Sequence, residues 1–180
     1  MSIEIEAKAY ADDLQGIEKK ILSMGAKLKW QGEQKDIYYN HPARDFATTD
    51  EALRVREEEG TIILTYKGPK IDKLTKTREE IKVQVENMAS IKEILMKLGF
   101  KEVGVVKKHR KKYILGEFKV CLDDVDNLGE FVEVEALSYP EKSNDDVRAQ
   151  RDDILKVFDE LGLKEMERRS YLELLLAKSR

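Results

Sequence analysis

The chain has 180 residues, of which 38% are charged, and its 33 Lys and Arg against 36 Asp and Glu leave a net charge of -3. This balance argues against a generic basic nucleic-acid binder. A single cysteine excludes an internal disulfide framework and a cysteine-rich metal site. Because there is no apolar leader and no long apolar run, we expect one cytoplasmic domain over residues 1–180, with no membrane and no nucleic-acid partner.

The first element is a strand with charge on one face. Successive side chains of a strand point to opposite faces, so Glu4, Glu6 and Lys8 share one face of the opening segment. Glu133 and Glu135 repeat this alternation near the other end of the chain. Two strands that each present two carboxylates predict a site for hard divalent cations, which prefer oxygen ligands.

Three helices are predicted from apolar residues at helical spacing. They cover Asp12–Met24, a segment from Ser90, and a segment that Ser143 and Asp146 begin with a capping box. A glycine follows each helix as an expected C-terminal cap. The predicted apolar stripes of the three helices include, in chain order, Leu14, Ile17, Ile21 and Leu22, then Ile91, Ile94, Leu95 and Leu98, and finally Ile154, Leu155, Phe158 and Leu161.

Strands with little helix signal occupy most of the remaining chain. They are predicted at residues 36–39, 53–57, 61–67, 78–85, 105–113 and 118–123. Glu59-Gly60 and Leu115-Gly116-Glu117 are predicted hairpin turns.

Several of these strands carry Arg or Lys on one face and aliphatic residues on the other. Arg54 and Arg56 share a face, and Lys67 lies opposite Ile62 and Leu64. The two-residue alternation of charged and aliphatic side chains, taken alone, fits an antiparallel sheet with its charged face in water. The number of charged faces, with only three long helices to cover many strands, favours a closed sheet with helices outside and a polar tunnel inside.

A tunnel of this kind would need a ligand that matches its charges. Buried charges are costly unless they are paired, and pairing among themselves would meet only part of that cost. Triphosphate with divalent metals would meet it better, because Arg and Lys bind phosphoryl oxygens while carboxylates hold Mg²⁺ or Mn²⁺.

The sequence lacks the residues that other kinds of binding or catalytic site require. The sequence has no P-loop and no dinucleotide-binding glycine motif. His41 and His109 lack zinc-ligand spacing, and Cys121 lies between apolar residues of a strand and is expected to be inert. We expect the aromatic residues Trp30, Tyr38 and Tyr39 to pack rather than to stack on a base.

An ordered set of motifs resembles the CYTH or triphosphate tunnel metalloenzyme superfamily. The opening Glu-x-Glu-x-Lys is matched by Glu4, Glu6 and Lys8, and the likeness continues nearly to the end of the chain. It runs through Gln34–Tyr39, Ala52–Arg56, Tyr66–Gly68, Arg78–Glu80, Lys108–Arg110 with Tyr113, Leu122–Asp123 and Leu128–Glu135. The segment Asp36–Phe46 and the closing Arg169–Leu175 are most similar to the class IV adenylyl cyclase branch.

This resemblance implies an α+β fold, in which an eight-stranded antiparallel β-barrel forms a polar tunnel with helices packed outside. It implies that metal is bound by Glu4, Glu6, Asp123, Glu133 and Glu135, and triphosphate by Lys8, Arg54, Arg56, Lys67, Arg78, Lys108 and Arg110. Lys8, Glu4 and Glu6 are the implied catalytic residues, and Mg²⁺ or Mn²⁺ the implied cofactor.

The resemblance leaves the reaction open. A class IV adenylyl cyclase would convert ATP to cyclic AMP and pyrophosphate by attack of the ribose 3′-hydroxyl on the α-phosphorus. A triphosphatase would hydrolyse inorganic triphosphate, thiamine triphosphate or a nucleoside triphosphate with the same site. A non-catalytic polyphosphate- or nucleotide-binding module is a third alternative, and a homodimer stays open as an assembly state.

Overall fold

The computed structural model describes residues 2–71, 75, 77–136 and 144–178. Within them it contains eight strands and five helices. In chain order these are β1 Ser2–Tyr10, α1 Leu14–Ser23, β2 Lys27–Asn40, α2 Phe46–Thr49, β3 Ala52–Glu58, β4 Thr61–Lys67, β5 Arg78–Val85, α3 Met88–Lys97, β6 Lys101–Leu115, β7 Phe118–Val125, β8 Gly129–Ala136, α4 Asn144–Leu161 and α5 Tyr171–Lys178.

The strands close into one antiparallel barrel in the order β1-β5-β4-β3-β2-β6-β7-β8. The prediction of an eight-stranded α+β barrel is confirmed. Strands β2 and β6, with 14 and 15 residues, extend well beyond the segments that alternation predicted. Their ladder runs from Lys27 opposite Ile114 to Asn40 opposite Lys101, so backbone pairing between the two strands, rather than an apolar face, sets their length.

Most of the buried charged side chains point into this barrel, and most of the buried aliphatic side chains of the strands point out of it. Helices α1 and α4 cover the outer face of β1, β7 and β8, and α3 covers that of β2, β3 and β4. The largest buried apolar cluster joins Ile5, Val132 and Val134 of the barrel to Ile154 and Phe158 of α4. The hydrophobic core therefore lies between barrel and helices, which leaves the interior free for charged groups.

The predicted glycine caps and turns are confirmed by the backbone. Gly25, Gly99 and Gly162 have φ values of 93°, 88° and 76°. After α1, the N–H of Ala26 donates to the carbonyl of Ile21 at 2.9 Å, as in a Schellman motif. Glu59 and Gly60, at φ 48° and 76°, form the tight turn between β3 and β4.

Two of the predicted apolar stripes are narrower than expected. Ile91 and Leu95 of α3 are buried, but Ile94 and Leu98 are 53% and 62% exposed, and Leu22 of α1 is 48% exposed. A straight helix contacts a convex barrel along a narrow line, so the outer residues of the stripe stay in water. The Ser143 capping box of α4 lies outside the described residues.

Helices α2 and α5 were not predicted. Helix α2 has four residues, and α5 carries leucines around most of its circumference, so neither shows a clear helical stripe. The segment before α5 joins the barrel, because the N–H of Glu167 donates to the carbonyl of Lys8 at 2.7 Å. This pairing places α5 beside one end of the tunnel. No helix in the described part of the chain is long and apolar enough to cross a membrane.

Replacement of a core residue of α4 should test the packing of helix on barrel. Ile154 is 0% exposed, so Ile154→Ala should lower the free energy of unfolding by about 2–5 kcal/mol. Ile94→Ala, at a 53% exposed position of α3, is the matched control and should cost under about 1 kcal/mol. Urea unfolding checks both values, and equal losses in the two variants would contradict this assignment of the core.

Candidate active site

The barrel interior is a cavity of about 390 Å³ that inward side chains of all eight strands line. It continues to α2 and α5 at one end, which we call the α2–α5 mouth. All of the predicted site residues line this cavity except Asp123. The predicted residues that line it are Glu4, Glu6, Lys8, Arg54, Arg56, Lys67, Arg78, Lys108, Arg110, Glu133 and Glu135.

Asp36 of β2 contacts three cations from the two strands that flank it, β3 and β6. It is fully buried, and its carboxylate accepts two hydrogen bonds from Arg56 at 2.6 and 2.8 Å and one from Lys108 at 2.8 Å. Arg54 approaches within 3.9 Å of the same carboxylate. Burial opposes ionisation, but the three cations hold the pKa of Asp36 well below its usual range. Sequence reasoning did not name Asp36 as a site residue, although it opens the quoted motif.

Lys108 loses its proton more easily than an ordinary lysine. Burial lowers its pKa to about 8, and Asp36 offsets this only in part because Arg56 and Arg110 repel the charged form. Bringing negative charge into the cavity would therefore favour the protonated lysine.

Several residues that line the cavity carry a buried polar atom without a hydrogen-bond partner among the described residues. Among these atoms are Nε of Arg54, Nε of Arg78, Oγ1 of Thr65 and the hydroxyl of Tyr39. Arg54 and Thr65 lie directly opposite each other on β3 and β4. Buried donors are normally satisfied, so two guanidinium N–H groups without a partner, on residues that line a cavity, indicate a place for an anionic ligand.

Three carboxylates meet on the wall formed by β1 and β8. Single oxygens of Glu4, Glu6 and Glu135 lie within 4.8 Å of one another. Burial raises the pKa of Glu135, while Lys119 opposes the rise. Burial acts the same way on Glu4, but Lys67, whose Nζ donates to it at 2.5 Å, brings the pKa below the usual value. A group of oxygen ligands at this spacing fits a hard divalent cation.

The structure does not bring Asp123 to this carboxylate group. Asp123 is fully buried and accepts hydrogen bonds from Arg110, with Nε at 2.5 Å, and from the hydroxyl of Tyr171 at 2.7 Å. Arg110 also donates to Glu133. A carboxylate without solvent access needs such partners, so Asp123 orients Arg110 instead of facing the cavity.

Lys8 is held by the segment that leads into α5. Its ammonium donates to the carbonyl of Arg169 at 2.5 Å and lies 4.0 Å from the ring centroid of Tyr171. Sequence reasoning missed Tyr171 as a site residue, because no spacing rule links the start of α5 to the first strand.

The residues to which the sequence analysis gave no role in the site have different surroundings. Cys121 is buried, and burial raises the pKa of its thiol to about 12. His109 pairs with Glu33 at the surface, and the ring of His41 packs between Phe46 and Phe100. Tyr38 and Tyr39 line the cavity, whereas the ring of Trp30 covers the ammonium of Lys112 at 4.3 Å.

Asp36→Asn should destabilise the protein in a pH-dependent way. Removing the charge leaves buried cations without their counter-ion, which should cost about 3–5 kcal/mol near neutral pH. Because folding lowers the pKa of Asp36, its contribution is complete above the ordinary aspartate value and is lost as the pH falls below it.

The free energy of unfolding of wild type and Asp36→Asn should therefore converge as the pH is lowered from about 5. Urea unfolding at several pH values measures the gap. Asp153→Asn, which removes an exposed partner of Lys156, is the control and should change little at any pH. A gap that is constant with pH would contradict the role of Asp36 as a buried counter-ion.

Known proteins share both sequence and fold with this chain. The profile of the CYTH domain matches residues 2–171. A Methanocaldococcus jannaschii protein named as a candidate adenylate cyclase is 42% identical over 172 residues, covering 96% of this chain and 98% of its own. The Aeromonas hydrophila adenylate cyclase CyaB is 25% identical, with 93% and 86% covered.

A solved structure of a Pyrococcus horikoshii protein is 44% identical, with a TM-score of 0.88, and the match covers 97% of this chain and 99% of that one. The barrel with its charged interior and the match over nearly the whole sequence agree, and the chain belongs to the CYTH domain family.

Proposed function

We propose that this protein is a divalent-metal-dependent enzyme that converts ATP to cyclic AMP and pyrophosphate in its barrel. One observation carries the proposal: the cavity lining combines Arg54 and Arg78, whose buried Nε donors have no partner among the described residues, with the carboxylate group of Glu4, Glu6 and Glu135. A triphosphate with its metal ions offers both the anion and the cation that these groups lack.

The basic residues would bind the triphosphate. Hydrogen bonds to Asp36 fix Arg56 and Lys108, and hydrogen bonds to Asp123 fix Arg110. These cations are therefore preorganised, and they lose little side-chain freedom when a ligand binds. Arg54, Arg78 and Lys67 complete the clamp on the β3, β4 and β5 side. Preorganised cations of this kind stabilise the charge that moves onto pyrophosphate as it leaves.

Glu4, Glu6 and Glu135 would hold Mg²⁺ or Mn²⁺, with Glu133 beside them on β8. When bound, the metal supplies Lewis-acid activation of the attacking hydroxyl and of the phosphoryl oxygens. Lys8, which lies opposite Glu133 on the neighbouring strand, would stabilise negative charge on the reacting phosphoryl group.

The α2–α5 mouth favours a nucleotide over bare triphosphate. At this mouth the acidic residues Asp45, Asp50, Glu51 and Glu173 line the cavity together with apolar side chains of α2, β3, β6 and α5. The apolar residues are Phe46, Leu53, Val103, Leu172 and Leu176. Apolar side chains next to a polar clamp suit a base and ribose attached to a triphosphate. The names of the Methanocaldococcus and Aeromonas relatives support the same choice.

Hydrolysis of a triphosphate is the second candidate function. Basic residues continue past the clamp to the other end of the cavity, where Lys112 and Lys119 line it. A cavity with cations along its whole length would also hold inorganic triphosphate, with water as the attacking group. The clamp described above would stabilise either transition state.

Product analysis tests the proposal. Purified protein is incubated with ATP, and separately with inorganic triphosphate, in Mg²⁺ or Mn²⁺, and cyclic AMP, pyrophosphate and orthophosphate are resolved. We expect cyclic AMP and pyrophosphate in equal amounts from ATP. Orthophosphate without cyclic AMP would replace the cyclase by a triphosphatase, and binding without any product would leave a binding module.

Arg54→Ala should weaken triphosphate binding. Loss of a hydrogen bond to a charged group costs about 1.5–3 kcal/mol, so Kd should rise roughly 10- to 150-fold. Calorimetry measures the affinity. Arg148→Ala, on the exposed face of α4, is the matched control and should bind like wild type. Unchanged affinity in Arg54→Ala would remove this residue from the clamp.

Glu135→Gln should weaken metal binding more than it weakens folding. A neutral amide in place of one carboxylate removes a charged oxygen ligand, so Kd for Mn²⁺ should rise about ten-fold or more while the melting temperature shifts by only a few degrees. Calorimetric titration with Mn²⁺ checks the affinity. Glu93→Gln, an exposed position on α3, serves as control, and equal Mn²⁺ binding by both variants would place the metal elsewhere.

A further inference from the structure

The first residue of α5 lies between basic side chains of two strands. The ring centroid of Tyr171 is 4.0 Å from Nζ of Lys8 on β1 and 5.3 Å from Nζ of Lys108 on β6. Both lysines are 1% exposed, and Tyr171 is also buried. Cations within about 6 Å of an aromatic ring centroid are attracted by its electrons, most strongly where water is excluded. One ring thus contacts two cations of the proposed clamp.

The ring is fixed from its other side. The hydroxyl of Tyr171 donates to Oδ2 of Asp123 at 2.7 Å, and Arg110 donates to both oxygens of the same carboxylate. Phe131 packs edge-on against the ring, with centroids 5.0 Å apart. The tyrosine therefore cannot turn without disturbing a buried ion pair and an aromatic contact.

An aromatic ring is a different kind of partner from a carboxylate. Asp36 and Asp123 hold their cations by cancelling charge, whereas a ring attracts a cation and adds no net negative charge. The carbonyl of Arg169, at 2.5 Å from the ammonium of Lys8, is likewise uncharged. The segment at the start of α5 thus contributes two neutral contacts that orient Lys8 and add no negative charge beside it.

We infer that Tyr171 is a positioning residue of the triphosphate clamp, which holds the ammonium groups of Lys8 and Lys108 where a phosphoryl group meets them. The inference rests on the proposed function, because it assumes that these lysines bind triphosphate. It makes the docking of α5 on the barrel part of the binding site. Through Tyr171, a helix at the end of the chain orders residues from β1, β6 and β7.

Calorimetric titration of the full chain with inorganic triphosphate, without metal, tests the inference. Tyr171→Phe keeps the ring and should bind within about three-fold of wild type, whereas Tyr171→Leu loses it and should raise Kd about ten-fold or more. Leu174→Ala is the control, because Leu174 is buried in the same helix and packs in the same apolar cluster. This variant should lose melting temperature without a comparable loss of affinity.

A second measurement compares triphosphate affinity between two side chains of nearly the same size and shape. Pentafluorophenylalanine in place of Tyr171 nearly keeps the size of a phenylalanine ring but reverses the charge distribution of its face, so triphosphate affinity should fall relative to Tyr171→Phe. A role in packing alone would leave the two proteins equal.

Three results would overturn the inference. They are equal affinity in the fluorinated and unfluorinated rings, affinity in Tyr171→Leu at or above that of wild type, and an equal affinity loss in Leu174→Ala at equal loss of melting temperature. Failure of the wild-type protein to bind triphosphate, with or without Mn²⁺, would instead contradict the proposed function itself.

Discussion

The burial of many charges inside a closed barrel is the constraint on which the rest of this structure depends. A charge without water is tolerated only when opposite charges and hydrogen bonds surround it. Asp36 therefore gathers Arg54, Arg56 and Lys108, and Asp123 gathers Arg110 and the hydroxyl of Tyr171. These ion pairs fix side chains that would otherwise sample many rotamers, so the charge network also fixes the geometry of the cavity.

The barrel can hold these charges because its apolar residues serve a separate core. Strand alternation sends Ile5, Val132 and Val134 outward, where α4 supplies Ile154 and Phe158. Apolar packing and buried charge are thus divided between the two faces of one sheet. The packing outside holds helices on the barrel, while the ion pairs inside order the charged side chains.

Much of the interior follows from alternation and from the family resemblance together. Glu4, Glu6, Arg54 and Lys67 were assigned to inward faces because a strand has a period of two. The period of two alone did not decide whether these faces point into the barrel or into water. The likeness to CYTH proteins indicated that they point into the barrel. The helix ends at Gly25, Gly99 and Gly162 were also predictable, since a positive φ favours glycine.

The sequence by itself determined the eight-strand pattern, the glycine C-caps of three helices and most of the charged interior, because these depend on local periodicity and on motifs in chain order. It did not determine where α3 begins, since Asn87 and not Ser90 caps that helix. Only the tertiary structure decided which charges meet. It joined Asp123 to Arg110 rather than to the carboxylates of β1, and it brought Tyr171 to Lys8, 163 positions earlier in the chain. Such pairings follow from how the barrel closes and where α5 docks, and no spacing along the chain encodes them.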